Sequence, residues 1–486
     1  MKSKGVLSCI GVLAVCVLFV SAIYAAGGSK GKIPITTSSQ KAMQLFLQGR
    51  DLSEKLRGQD SLQYLEKAVA EDPNFAMGYL FLSLGQPTAK GFFENLNKAV
   101  ALAEKASEAE RVWILGVQAG ANALPAKQKE YYQKLTEAFP NDERAHTLLG
   151  NYYFGQQLYD QAISEFEKAI SINPDFSQPY NQLGYSYRFI ENYVNADKTF
   201  QKYITLIPND PNPYDSYAEL LLKMGKYDAS IEYYQKALKV NPNFVNSFLG
   251  IATDLNYLGK FDDARQHLQK LYSIARNDGE KRAAHFAITL SYVHEGNIVK
   301  ALEELKKQFA LAEKINDAGA MAGDMIIMGN INYEAGNYDK ALTHFEKSLK
   351  IIQGSNLSKE IKENANRIFL YNSGRVALKQ KDFASAKAKA EQFLSQVSAL
   401  NSPFQIRLAH ELAGMIALEE KDFEKAITEF ASGNQQNPYN LYRMALAYQG
   451  KGDSAKAKEY FKKTANFNSL NDLNLAFIRK KAIQSQ

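Results

Sequence analysis

A chain of 486 residues that is 45% hydrophobic, with only 30 Gly and 13 Pro, holds either several globular domains or one long array, and its composition excludes wholesale disorder. Its formal charge of +6 comes from 58 basic and 52 acidic residues mixed along the chain. No Lys/Arg cluster tracks phosphates, which excludes a basic nucleic-acid face. Both cysteines, Cys9 and Cys16, fall in the first 26 residues, so disulfides and cysteine-ligated metals are excluded from Gly27 onward.

Residues 1–26 are predicted to be a signal peptide or an N-terminal membrane anchor. Lys2 and Lys4 precede an apolar stretch from Gly5 to Ala26, with small residues at Ala22, Ala25 and Ala26 as cleavage positions. The stretch exceeds a signal core of about 7–15 residues and approaches the roughly 20 needed to span a bilayer. Val15 is too large to precede a lipid-modified cysteine at Cys16. Either reading exports the body: it is expected to be periplasmic or otherwise extracytoplasmic, soluble after cleavage or held by the N-terminal helix. Residues 27–40 read as a flexible linker.

Residues 41–142 carry helical signals without a clear period. Phe46, Gly49, Ala68 and Pro73 suggest one helix pair, Ser107-Glu108-Ala109-Glu110 is a capping box, and Phe139-Pro140-Asn141 closes a unit. From 143 to 281 a period of 34 is explicit. Tyr159, Tyr193, Tyr227 and Phe261 keep it, as do Ala162, Ala196, Ser230 and Ala264, and Pro174, Pro208 and Pro242. Within one copy, Leu149, Gly150 and Tyr153 share a helix, and Ala162, Phe166 and Ala169 form the apolar stripe of the next. Gly150 and Ala162 are small where the helices cross, and Asn173-Pro174 ends the second helix.

From 282 to 471 the units lengthen: Ala301, Ala341, Ala386 and Ala426 follow one another at intervals of 40, 45 and 40. Asn471-Asp472 begins an expected capping helix over 472–486, with Leu473, Ala476 and Phe477 on one side and Arg479, Lys480 and Lys481 elsewhere. A fixed period means stacked copies of one helical unit that contact only their neighbours.

These residues resemble the tetratricopeptide repeat. The resemblance implies an all-α, right-handed superhelical solenoid of about ten to eleven antiparallel helix pairs. It also implies a concave groove lined by the first helix of each pair. The positions that point into such a groove are Arg144, Thr147 and Asn151; Gln178, Asn181, Tyr185 and Arg188; Asn212, Asp215, Glu219 and Lys223; and Asn246, Thr253, Asn256 and Tyr257. The set is rich in amides, which pair with peptide backbone through donor and acceptor. The family's carboxylate clamp is absent, because Thr147 stands ahead of Asn151. Its asparagine ladder is absent too, because Leu148, Gln182, Ser216 and Gly250 fill those positions.

Little in the chain points to catalysis. His146, His285 and His410 share the fourth position of their repeats and read as packing rings with one wet edge. His267 and His344 read as surface residues, and His294 as facing inward. No paired histidines or Gly-rich phosphate loops stand in a suitable context. Trp113, the single tryptophan, is expected to pack between N-terminal helices. The chain is therefore expected to be a non-enzymatic scaffold without cofactors. It would bind another protein or peptide in assembly of a cell-envelope complex and touch a membrane only through its N-terminal segment. The alternative is a carbohydrate- or peptidoglycan-binding module in which Tyr185 and Tyr257 stack on sugar rings.

Overall fold

The computed structural model describes residues 31–486, together with a two-residue strand at Tyr24–Ala25 whose backbone pairs with Thr36–Thr37. The signal or anchor expected over 1–26 otherwise lies outside the described residues. Among the described residues no helix is long and apolar enough to cross a membrane.

The chain is a succession of antiparallel helix pairs. The divergent N-terminal part forms three: α1 (Gln40–Glu54) with α2 (Gly58–Glu71), α3 (Ala76–Gly85) with α4 (Ala89–Leu102), and α5 (Glu108–Ala121) with α6 (Pro125–Ala138). Four regular pairs follow: α7 (Glu143–Gly155) and α8 (Tyr159–Ile172), α9 (Gln178–Phe189) and α10 (Tyr193–Leu206), α11 (Pro211–Lys223) and α12 (Tyr227–Val240), α13 (Val245–Tyr257) and α14 (Phe261–Ile274). Five later pairs complete the array: α15 (Asp278–Glu295) and α16 (Ile298–Lys314), α17 (Ala318–Glu334) and α18 (Tyr338–Gln353), α19 (Lys359–Lys379) and α20 (Phe383–Ala399), α21 (Pro403–Glu419) and α22 (Phe423–Ser432), α23 (Pro438–Lys451) and α24 (Ser454–Ala465). A single helix, α25 (Leu473–Gln484), ends the chain. The described residues thus contain twelve pairs, more than the ten to eleven expected, because residues 41–142 hold three full pairs despite their weak period.

One contact recurs where many of the pairs close. A Cβ added at Gly150 would stand 2.6 Å from the ring of Phe166, sixteen residues on, and one at Gly184 would stand 2.5 Å from Phe200. The same spacing recurs at Gly116 and Tyr132, Gly329 and Phe345, and Gly414 and Phe430. The glycine lets the aromatic ring of the second helix lie directly on the backbone of the first. Phe166, Phe200 and Phe345 are buried as a result, and burying each apolar ring stabilises by roughly 1.5–3 kcal/mol.

The array also touches itself at long range, and one row of these contacts joins pairs seven apart. Arg276 and Asn277, leading into the eighth pair, bond Asp60 (2.9 Å) and Gln59 (2.7 Å) of the first. Lys90 N of the second pair donates to Asp317 Oδ2, which caps α17 of the ninth (3.2 Å). Ser358, capping α19 of the tenth, donates to Asn122 of the third (2.8 Å). Arg407 of the eleventh reaches the carbonyl of Gln156 in the fourth, and Gln436, before α23 of the twelfth, reaches that of Phe189 in the fifth. One superhelical turn therefore takes seven pairs, and consecutive turns meet along a polar seam.

Both ends depart from expectation. Residues 31–39, read as part of a flexible linker, form an extended strap bonded to the end of α2 and to the starts of α5 and α7. The end helix does more than cap: α25 packs on α23 and α24 and also on α15, so it crosses the interior of the superhelix.

Candidate functional site

The first helices of the pairs line the inner face, and its residues fall into three zones. At the N-terminal end, Arg144, Thr147, Asn151 and Gln178 line a cavity of about 670 Å³. Phe81, Leu84, Phe92, Trp113, Val117, Leu148 and Tyr152 form its apolar walls. Arg144 is already committed: it makes a two-pronged bond to Glu54 (2.6 and 2.9 Å) and lies 4.8 Å over the Phe176 ring. Burial opposes its charge, but the Glu54 carboxylate outweighs burial and raises its pKa. Thr147 is buried and donates to the carbonyl of Glu143 (2.7 Å).

The central zone is a buried polar network. Asn181 Nδ2 donates to Asn212 Oδ1 (3.0 Å) and to Ser216 Oγ (2.7 Å), and Tyr203 OH donates to the same Asn212 oxygen. Tyr185 OH donates to Glu219 Oε1 (2.9 Å), and Arg188 stands 3.6 Å from Glu219 while covering the rings of Tyr185 and Phe189. Ser247 donates to Asp215 (2.7 Å). Burial, reinforced by the neighbouring Glu219, pushes the Asp215 carboxyl well above the carboxylate range, and burial raises Glu219 as well. A low-dielectric site favours neutral acids, and within this network Asn181 Oδ1 and Arg188 Nε are buried without a hydrogen-bond partner.

In the third zone the chain covers its own inner face. Lys223 Nζ donates to the carbonyl of Phe467 (2.7 Å) and lies 3.9 Å over its ring. Burial and the nearby Arg188 lower its pKa to about 8. Tyr257 OH donates to the carbonyl of Ser469, and Arg479 of α25 lies 4.1 Å over the Tyr257 ring while bonding Tyr227 OH and Asn468. Thr253 and Asn256 line a small recess with His294 and Asp472. Asn246 stands apart: it is exposed and borders a cleft of about 300 Å³ between superhelical turns, beside Pro87 and Arg276.

Models of the tetratricopeptide repeat match residues 143–176, 177–210, 218–244, 371–440 and 439–466. The chain belongs to the tetratricopeptide-repeat family. No curated protein matches it. Among solved structures it resembles the crystal structure of the MamA protein at 22% identity, over 33% of this chain and 88% of that one, with a TM-score of 0.28.

The histidines of this tetratricopeptide array show a device of their own. His146 Nδ1 lies 2.6 Å from Glu165, His285 Nδ1 2.5 Å from Glu304, and His410 Nδ1 2.8 Å from Glu429, each partner nineteen residues on and on the second helix. The packing-ring reading is thus completed by a carboxylate. His267 and His344 are half-buried and not surface residues. His267 stacks on Phe248 at 4.8 Å, and burial lowers its pKa to about 4. His294 does face inward, edge-on to Tyr257 at 5.5 Å.

The strap residues were invisible as a site in the sequence, and so were their acceptors. Ile33 N donates to Asp142 Oδ2 (2.8 Å), Thr36 N to Glu110 Oε1 (2.7 Å), and Ser38 N to Asp72 Oδ2 (2.8 Å), with Lys32 paired to Glu143. Glu110 was legible only as the end of a capping box. That it also accepts a remote main-chain N–H depends on which strand lies across it. Trp113 packs as expected, 5.8 Å from Phe81, but it also walls the N-terminal cavity.

Proposed function

We propose that this array is a non-enzymatic scaffold that binds a segment of another protein on its inner face, in assembly of a cell-envelope complex. The observation that carries this reading is the strap. The main-chain N–H groups of Ile33, Thr36 and Ser38, in one extended segment, are accepted by carboxylates at the end of α2 and at the starts of α5 and α7. This is the array's own instance of peptide capture, in which main-chain bonds supply affinity and side-chain recesses supply selectivity.

The partner would take the part of the inner face that the chain leaves to solvent: the N-terminal cavity beside Asn151 and Gln178. Asn181, Tyr185, Arg188, Asn212, Asp215 and Glu219 would then support the curvature of the groove and not touch the ligand, since each already contacts a neighbouring side chain. The glycan reading gains nothing from Tyr185 and Tyr257, whose rings are packed and whose hydroxyls are bonded within the chain. Residues 1–26 would export the array or tether it on the outer side of a membrane.

The test is photo-crosslinking in cells from a benzoylphenylalanine placed at position 151, with Val194 as the control site, since Val194 is 67% exposed on the outer helix α10. A protein adduct from 151 and none from 194 supports inner-face binding. Adducts from 194 alone would transfer binding to the outer face and sink the reading. Fractionation of the same cells tests the envelope location.

A further inference from the structure

We propose that the N-terminal cavity is an anchor pocket for large apolar side chains on an extended, uncharged partner segment, lying next to the strap and sharing Phe81, Trp113 and Arg144 with the cavity beneath it. The inference rests on the scaffold reading and names the chemistry of the partner.

Three observations carry it. The first is the lining. The walls at Leu56, Phe81, Leu84, Trp113, Leu148 and Tyr152 are apolar or aromatic, and a cavity of about 670 Å³ falls within the roughly 300–1,000 Å³ range of ligand pockets. Aromatic walls of this kind favour aromatic and branched aliphatic groups in edge or offset contact.

The second is charge. The one cation on the wall, Arg144, is neutralised by the two-pronged bond to Glu54, so the pocket makes no demand for an anionic ligand. Burying a ligand charge here without a partner would be costly. Asn151 and Gln178 make no side-chain hydrogen bond among the described residues. Each therefore offers a donor and an acceptor at the cavity edge, which is what a peptide group requires.

The third is the strap itself. A second cavity of about 280 Å³ lies beneath Ile33, Pro34 and Ile35, and it shares Phe81, Trp113 and Arg144 with the first. The chain's own segment shows what these walls accept. Ile33-Pro34-Ile35 is apolar, uncharged and extended, and Ile33 belongs to the same buried cluster as Phe81 and Trp113. A partner segment lying beside the strap would meet the same surfaces and fill the larger cavity.

Trp113 is the single tryptophan, so its fluorescence reports on this cavity and on the smaller one beneath the strap that shares it. The full chain would be titrated with three capped, uncharged or charged pentapeptides: threonine alternating with phenylalanine, with alanine, and with glutamate. The phenylalanine peptide should shift Trp113 emission, and the other two should not. Ala121→Phe, which fills the cavity, should abolish the response. Leu84→Glu should weaken it at least tenfold, and since Leu84 is 51% exposed this variant keeps the test valid should the filled variant misfold. Asn151→Ala and Gln178→Ala should each weaken binding about fivefold, the usual weight of one hydrogen bond.

A silent phenylalanine peptide, an equal response to the glutamate peptide, or an unchanged response in Leu84→Glu would overturn the proposal. A response to decanol with none to the peptide would overturn it too, assigning the pocket to free aliphatic molecules. Should position 151 still capture a partner while the phenylalanine peptide is silent, the scaffold reading stands and the apolar anchor falls.

Discussion

The main-chain N–H of Ile33 donates to Asp142 Oδ2 at 2.8 Å, across 109 residues of sequence. The same carboxylate, through Oδ1, caps α7 at Arg144 N (2.8 Å) and Ala145 N (3.0 Å). One side chain thus starts a helix and ties down the strap. Asp142→Ala should lose both roles and cost about 1–2 kcal/mol from the cap alone. Cleavage within residues 32–36 by a nonspecific protease should also accelerate. An unchanged cleavage rate would mean the strap is held without this bond.

At the crossing of α9 and α10 the backbone of Gly184 lies under the Phe200 ring. Gly184→Ala would place a Cβ 2.5 Å from that ring, and overpacking of this kind costs about 1–3 kcal/mol. Adding Phe200→Leu should recover part of the loss. Urea midpoints of the two single variants and the double variant measure the coupling, and strict additivity would disprove the close approach.

A third expectation concerns the turn between α7 and α8, where Gln157 holds φ at 58°. The equivalent turn positions Gly225 and Gly259 are glycines at 73° and 77°. A side chain in the left-handed region costs roughly 1–2 kcal/mol, partly offset by glycine's larger unfolded-state entropy. Gln157→Gly should therefore raise stability by about 0.5–1 kcal/mol, read as a higher melting midpoint. A lower midpoint would show that the side chain contributes more than its backbone strain costs.

The His146–Glu165 pair sets a pH window. The hydrogen bond with Glu165 raises the His146 pKa above the ordinary 6.5, against burial. Its stabilisation is complete below 6.5 and is lost as pH rises through the higher folded value. Burial pushes the Glu165 carboxyl up, but bonds from His146 and Lys168 bring it below the ordinary 4.5, so its contribution is present above 4.5 and lost as pH falls. The pair therefore stabilises most between about 4.5 and 6.5. His146→Gln should flatten the alkaline side of the stability profile near neutrality. An identical slope in both proteins, measured by urea unfolding at successive pH values, would exclude His146 as its source.

Contacts that form within one repeat are legible in the sequence. Gly150 and Phe166 lie sixteen residues apart, and every contact that closes their pair forms within one period, so spacing alone predicts it. Tyr159, Tyr193 and Tyr227 mark the starts of second helices for the same reason. The pairs between 41 and 142 were harder to count because α3 is short and almost wholly apolar, which hides the one-sided stripe that signals an amphipathic helix. Arg144, Thr147, Asn151 and Gln178 were placed on one surface by their repeat positions, and they do share one cavity. Asn246 occupied an equivalent position but opens onto the seam between turns.

The helical unit and its period follow from contacts between residues less than one or two repeats apart, while the choice of inward-facing helices came from the resemblance to the tetratricopeptide repeat. Only the tertiary structure decided how those residues are used. Asp60 meets Arg276, and Lys223 meets Phe467, because small rotations accumulated over seven pairs return the chain to its own surface. No period in the sequence encodes that sum. The same accumulated curvature brings α25 back onto α15 across the interior. The inner face open to a partner is what these long-range contacts leave uncovered.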